Sequence, residues 1–136
     1  MDYVLDACAL IAFLNDEAGA DTIAGLLVEA ETGTTHLYIS SIQALEVYYD
    51  RIYVKGLDYA NVFLESLYAS PVTVLNEISL EVVREAGKLK TKYSISLADS
   101  VACATAFFMS LPLISSDHSE LSAIERRESV KFYWFR

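Results

Sequence analysis

The sequence predicts a three-layer α/β/α sandwich around a mostly parallel sheet of about five strands. Three observations carry that expectation. Short apolar runs alternate along the chain with longer stretches of helical spacing. Most of the short runs are apolar on both parities, as parallel strands covered on both faces must be. Hydrophobic residues make up 54% of the chain, with only five Gly and two Pro, which excludes disorder, collagen-like repeats and low complexity. At 136 residues the chain has the size of one domain, and we expect a single domain over 1–136. Folding at that length buries roughly two-thirds of the unfolded surface, so no metal or disulfide staple is needed for a core.

The elements follow in order. Residues 3–5 read as the first strand, followed by helical spacing over 8–15 and 20–31. A second strand at 37–39 leads into two consecutive helices, 41–55 and 58–69, before a third strand at 72–75. Helix 79–92 shows Leu80, Val83, Gly87 and Lys90 alongside Glu81–Arg84 and Glu85–Lys88 pairs, the pattern of a half-wet surface helix. The apolar helix 97–110, a short strand at 113–114 and a last strand at 130–135 complete the chain.

The apolar run 101–114 contains Pro112 and falls short of the roughly 20 residues a bilayer span requires, so no membrane association is expected. Met1-Asp2-Tyr3 lacks a basic leader region, and Asp6 interrupts the early apolar stretch. Cys8 and Cys103 lie far apart, each in an apolar run, and read as reduced thiols of a cytoplasmic protein. Nineteen acids against ten bases give a net charge of -9, the reverse of a generic basic nucleic-acid binder.

Four carboxylates stand among apolar residues. Asp6 follows the first strand, Glu46 lies on helix 41–55 with Ile42, Tyr49 and Tyr53 on its face, Asp99 opens the apolar helix, and Asp117 follows the strand at 113–114. Asp6 and Asp117 therefore sit at strand carboxyl ends, where open parallel sheets bind ligands. Each also has a structural explanation. Asp6 can cap the helix after it, while Ser96-x-x-Asp99 and Asp117-x-x-Glu120 have capping-box spacing. Glu46 is hardest to explain that way, because a charge on an apolar stripe is costly unless paired or metal-bound. If the four converge, their mutual repulsion calls for a cation. A carboxylate set without a His or Cys cluster suits Mg²⁺ or Mn²⁺, which can support phosphodiester hydrolysis.

The stretches Val4 to Leu14, Ser40 to Glu46, Leu97 to Ala106 and Leu113 to Asp117 together resemble the PIN-domain family, which includes the ribonuclease toxins of VapBC-type toxin–antitoxin pairs. The resemblance covers essentially the whole chain. It implies a PIN-like fold, an acidic quartet of Asp6, Glu46, Asp99 and Asp117 that binds Mg²⁺ or Mn²⁺, and cleavage of RNA. It also implies a homodimer and an antitoxin that plugs the acidic site. The chain departs from the family pattern at Cys8, where Ser or Thr is usual; a thiol donates weaker hydrogen bonds.

Other chemistries find no support. An Asp-x-Asp phosphatase would need an acid at position 8, and a receiver domain would need an Asp after the third strand and a Lys after the fifth. No glycine-rich phosphate loop occurs. The competing expectation is a PIN-like protein-interaction module whose acids meet a partner's arginine. His118 reads as a solvent-facing loop residue and His36 as structural. Arg84, Lys88, Lys90 and Lys92 read as a solvated helix face, with guidance of RNA to the site as the alternative, and the tyrosines of 41–69 mostly as core, with some at a dimer or antitoxin surface.

Overall fold

The apolar runs pair into one sheet in the computed structural model, which describes residues 1–136. The strands are β1 (Asp2–Leu5), β2 (His36–Ser40), β3 (Thr73–Leu75), β4 (Leu113–Ser115) and β5 (Phe132–Trp134), in the order β3-β2-β1-β4-β5. Every neighbouring pair is parallel. The helices are α1 (Ala7–Leu14), α2 (Ala20–Thr32), α3 (Ser41–Lys55), α4 (Leu57–Ala69), α5 (Leu80–Lys92), α6 (Leu97–Met109) and α7 (His118–Arg127). The expected five-stranded α/β/α fold is the fold observed.

Alternation explains the doubly apolar strands. Leu5 and Ile114 enter a core with Leu10, Ile23, Leu37 and Val47, whereas their neighbours Val4 and Leu113 enter a second core with Leu89, Cys103, Leu121 and Ile124. Successive side chains of one strand thus feed opposite layers. The first core packs α1, α2, α3 and α4 on one face of the sheet, and the second packs α5, α6 and α7 on the other. No helix is long and apolar enough to cross a membrane.

Several expectations are corrected. Helix α7 was not anticipated, because only Leu121 and Ile124 of its ten residues are buried anchors. On α5 the buried face is Val82, Ala86 and Leu89, at helical spacings of four and three residues, while Leu80 and Val83 are exposed. None of the α5 acid–base pairs closes into an ion pair. The tyrosines of the α3–α4 hairpin are not core: Tyr49, Tyr53, Tyr59 and Tyr68 are exposed, because the inner face is taken by smaller Ala44, Val47 and Ala60 together with Leu67. The last strand is shorter than 130–135, since Phe135 turns inward against Gly19. Gly19 has φ +86, and a Cβ there would lie 2.5 Å from the Phe135 ring, so only glycine fits.

Candidate functional site

Asp6 ends β1 and begins α1. Its backbone N–H continues the β1–β4 ladder by donating to the Ile114 carbonyl at 3.0 Å. Its carboxylate caps α1, accepting from the Ala7 N–H at 2.9 Å, and also accepts from the Ser115 hydroxyl at 2.8 Å. The Cys8 thiol adds a longer contact of 3.6 Å to Asp6 Oδ2. Asp6 is 3% exposed, and burial raises its pKa despite these donors. A carboxylate this dry, with no cationic partner, is poised to receive one.

Glu46 lies in the second turn of α3, which follows β2 without a loop because Ser40 both ends the strand and caps the helix. Burial and the nearby Asp6 charge push Glu46 up to about 7. Asp99 occupies the first turn of α6, where its N–H donates to the capping Ser96 hydroxyl at 3.0 Å. Burial, then Asp6 and Asp117, push it up to about 7 as well. Gln43, fully buried on α3, donates to the Ala98 carbonyl at 2.6 Å and so fastens the helix of Glu46 to that of Asp99. Asp117 follows β4 and caps α7, accepting from the Glu120 N–H at 3.3 Å and the Ser119 hydroxyl at 3.1 Å.

All four carboxylates line one cavity of about 320 Å³, together with Cys8, Ile11, Ser96 and Glu120. No Lys, Arg or His lines it. For Asp6 and Asp117 the structural role and the position at the pocket coexist: each carboxylate caps a helix and lines the cavity. Glu120 is the residue sequence reasoning missed. Oxygens of Asp99, Asp117 and Glu120 lie within 4.8 Å of one another, a spacing that could hold a metal ion. The Asp117-x-x-Glu120 spacing was the available signal, but it looked like a cap alone. The donor set fits a hard divalent cation, being all oxygen and locally uncompensated.

Cys8 lines the pocket, whereas the two histidines do not. The Cys8 thiol is pushed up to about 12 by burial and then by Asp6, which rules out a ready nucleophile. Both cysteines are free thiols. His36 opens β2 and contacts Asp2 at 3.1 Å, far from this chemistry in the chain and at the other end of β1 from Asp6. His118 is no loop residue: it begins α7, and its ring stacks on Trp134 with centroids 4.0 Å apart.

The sequence matches the family model described as PIN domain over residues 3–126. The chain belongs to the PIN-domain family. Comparison with curated proteins yields no match. Among solved structures, VapBC from Salmonella typhimurium bound to DNA is similar with a TM-score of 0.74 and 13% identity, covering 100% of this chain and 99% of that one. VapBC2 from Rickettsia felis, bound to a DNA fragment from its promoter, gives 0.72 and 17%, with 98% of each chain covered. VapBC-1 from nontypeable Haemophilus influenzae gives 0.72 and 20%, covering 99% of this chain and 98% of that one. At these identities the likeness is one of fold. The PIN domain occupies nearly the whole sequence and carries all five pocket acids within the matched span.

Proposed function

We propose that this PIN-domain protein is an Mg²⁺- or Mn²⁺-dependent endoribonuclease and the toxin of a VapBC-type toxin–antitoxin pair. One observation carries the reading: carboxylates from four separate elements share a pocket without a compensating cation, and two of them are held near 7. The family is in general one of nucleases. Asp6, Glu46, Asp99 and Asp117 would hold the metal, with Glu120 beside Asp99 and Asp117. When bound, a divalent ion supplies charge neutralisation at a phosphodiester and a water that ionises near neutral pH.

The chain's own residues define the rest. Ser115 and the Ala7 N–H orient Asp6, so the oxygens of its carboxylate are directed before any ligand arrives. Ser96 starts α6 in the register that turns Asp99 toward the cavity. Burial and the Asp6 charge hold Glu46 up to about 7 in the empty pocket, so a cation would be met by a carboxylate that gains from ionising beside it. Single-stranded RNA is the substrate class we propose.

An antitoxin partner is proposed because the similar solved structures are toxin–antitoxin complexes. A homodimer is proposed as well, and exposed apolar side chains such as Leu80, Val83 and Leu97 supply surface for such contacts. The test is incubation of purified protein with single-stranded RNA and Mn²⁺ or Mg²⁺. Cleavage that Asp99→Asn abolishes supports the enzyme. Cleavage surviving in Asp99→Asn, or none with either metal, counts against it, and the second result favours the protein-interaction module.

A further inference from the structure

The chain is acidic overall, but its charge is unevenly placed. Residues 126–136 hold four of the ten bases, Arg126, Arg127, Lys131 and Arg136, against one acid, Glu128. The acids of this corner are already engaged. Glu125 accepts from the Trp134 indole N–H at 3.0 Å, and Glu128 accepts from the Tyr93 hydroxyl at 2.7 Å and contacts Lys92 at 3.4 Å. Arg126, Arg127 and Lys131 are exposed and form no ion pair.

An aromatic column runs from this cationic corner to His118, the residue after the pocket's Asp117. Phe132 and Trp134 stack at 4.8 Å with planes 4° apart, and His118 stacks on Trp134 at 4.0 Å. Trp134 pairs in register with Ser115, whose hydroxyl holds Asp6. The His118 ring ends the column, is fixed by a 2.9 Å contact from Nε2 to the Arg136 carbonyl, and adjoins Asp117 in the chain. Since a carbonyl only accepts, Nε2 carries the proton. His118 is exposed, so the column presents an immobilised ring to solvent one residue along the chain from the pocket's Asp117. β5 is an edge strand, with β4 as its one strand neighbour.

We propose that the α7–β5 edge is the track by which single-stranded RNA reaches the acidic pocket. The base next to the scissile phosphate stacks on His118, and Arg126, Arg127 and Lys131 hold phosphates further along. The inference rests on the ribonuclease reading above and adds a direction for the strand. Helix α7 spans about 15 Å from its first to its last turn, the reach of a few nucleotides. Aromatic stacking with flanking cations is how proteins hold single strands without reading sequence. The track also answers how so acidic a protein attracts a polyanion: the cations stand apart from the carboxylates they would otherwise neutralise. The basic residues of α5 offer no such route, being interleaved with Glu81 and Glu85 and lacking an aromatic platform.

The test is fluorescence anisotropy of a labelled single-stranded RNA on the full chain carrying Asp99→Asn, over a salt series. Combined Arg126→Gln, Arg127→Gln and Lys131→Gln is expected to lower the salt slope by about 2, at roughly 0.7 per phosphate contact. His118→Ala is expected to weaken binding about tenfold, and His118→Phe to restore it. The Mn²⁺-induced rise in Tm, measured without Asp99→Asn, should be unchanged by all of these substitutions. An unaltered slope in the triple variant, or unaltered affinity in His118→Ala, overturns the track. Absence of RNA binding by the parent protein, with its Mn²⁺ response intact, overturns the ribonuclease reading and the track together.

Discussion

Cys8 differs from a serine by one atom, and that atom faces the most buried carboxylate of the site. Its sulfur lies 3.6 Å from both Asp6 Oδ2 and Ser115 Oγ, so the short 2.8 Å bond from Ser115 is the stronger hydroxyl support of Asp6. Cys8→Ser should add a stronger donor and raise stability by about 0.5–1 kcal/mol, read from the urea midpoint. A thiol held up to about 12 should also resist alkylation at pH 8 in the native protein, and become reactive only on unfolding. Fast native-state modification would contradict the burial described. Asp6→Asn, measured with chelator present, should leave Tm unchanged or slightly higher. An amide oxygen can still accept from Ala7 or Ser115, and the carboxylate's unfavourable charge is gone. A drop of many degrees would mean that capping outweighs repulsion at this residue. In the presence of Mn²⁺ the same variant should lose most of the metal-induced gain.

The helices act as mounts, and their starts matter more than their lengths. Three of the acids sit within a first turn or at a cap, and each depends on a hydroxyl-bearing neighbour: Ser115 for Asp6, Ser96 for Asp99, Ser119 for Asp117. Ser96→Ala removes the α6 cap and should cost about 1 kcal/mol by denaturant unfolding, with a larger proportional loss in metal affinity because Asp99 moves with the helix start. Equal retention of metal affinity would show that Asp99 is placed by packing instead. Away from the pocket, fully buried Arg51 bonds Asn15 at 2.8 Å and Asp50 at 2.7 Å, tying α3 to the end of α1. Arg51→Ala should cost about 3 kcal/mol, since it strands the polar groups that close around the guanidinium. At this scale β1–β5 and α1–α6 were legible from apolar periodicity, β5 with longer bounds than the strand has. Helix α7 was not, because two anchors in a polar decapeptide leave too weak a period to detect.

Taken whole, the molecule concentrates negative charge at one end of its sheet, and pH should expose that. Glu46 and Asp99 titrate near 7 when folded, above their ordinary values of 4.5 and 3.8. The native state therefore binds more protons than the unfolded state between those limits. Their stabilising contribution is complete below about pH 4 and is lost as pH rises through about 7. With chelator present, Tm should fall from pH 5 to pH 8. Added Mn²⁺ should reverse the trend, because deprotonated carboxylates bind it better. Saturation to a hundred times the dissociation constant would add about 2.7 kcal/mol. A metal-free Tm that rises over this range would remove the case for a strained carboxylate pocket.

Local pattern alone determined the parallel α/β architecture and singled out four carboxylates, three of them at strand ends or helix starts. Those features are written in nearest-neighbour spacing: apolar periodicity, acids out of place on apolar faces, serines ahead of helices. Only the tertiary structure decided that Glu46 meets Asp6, Asp99 and Asp117 in one cavity, that Glu120 joins them, and that His118 ends an aromatic column. Each of these depends on how separate elements pack, and the two sides of every such contact are remote in sequence. The orientation of a polar side chain on a half-wet helix is set by what the helix lies against, which no window of residues contains.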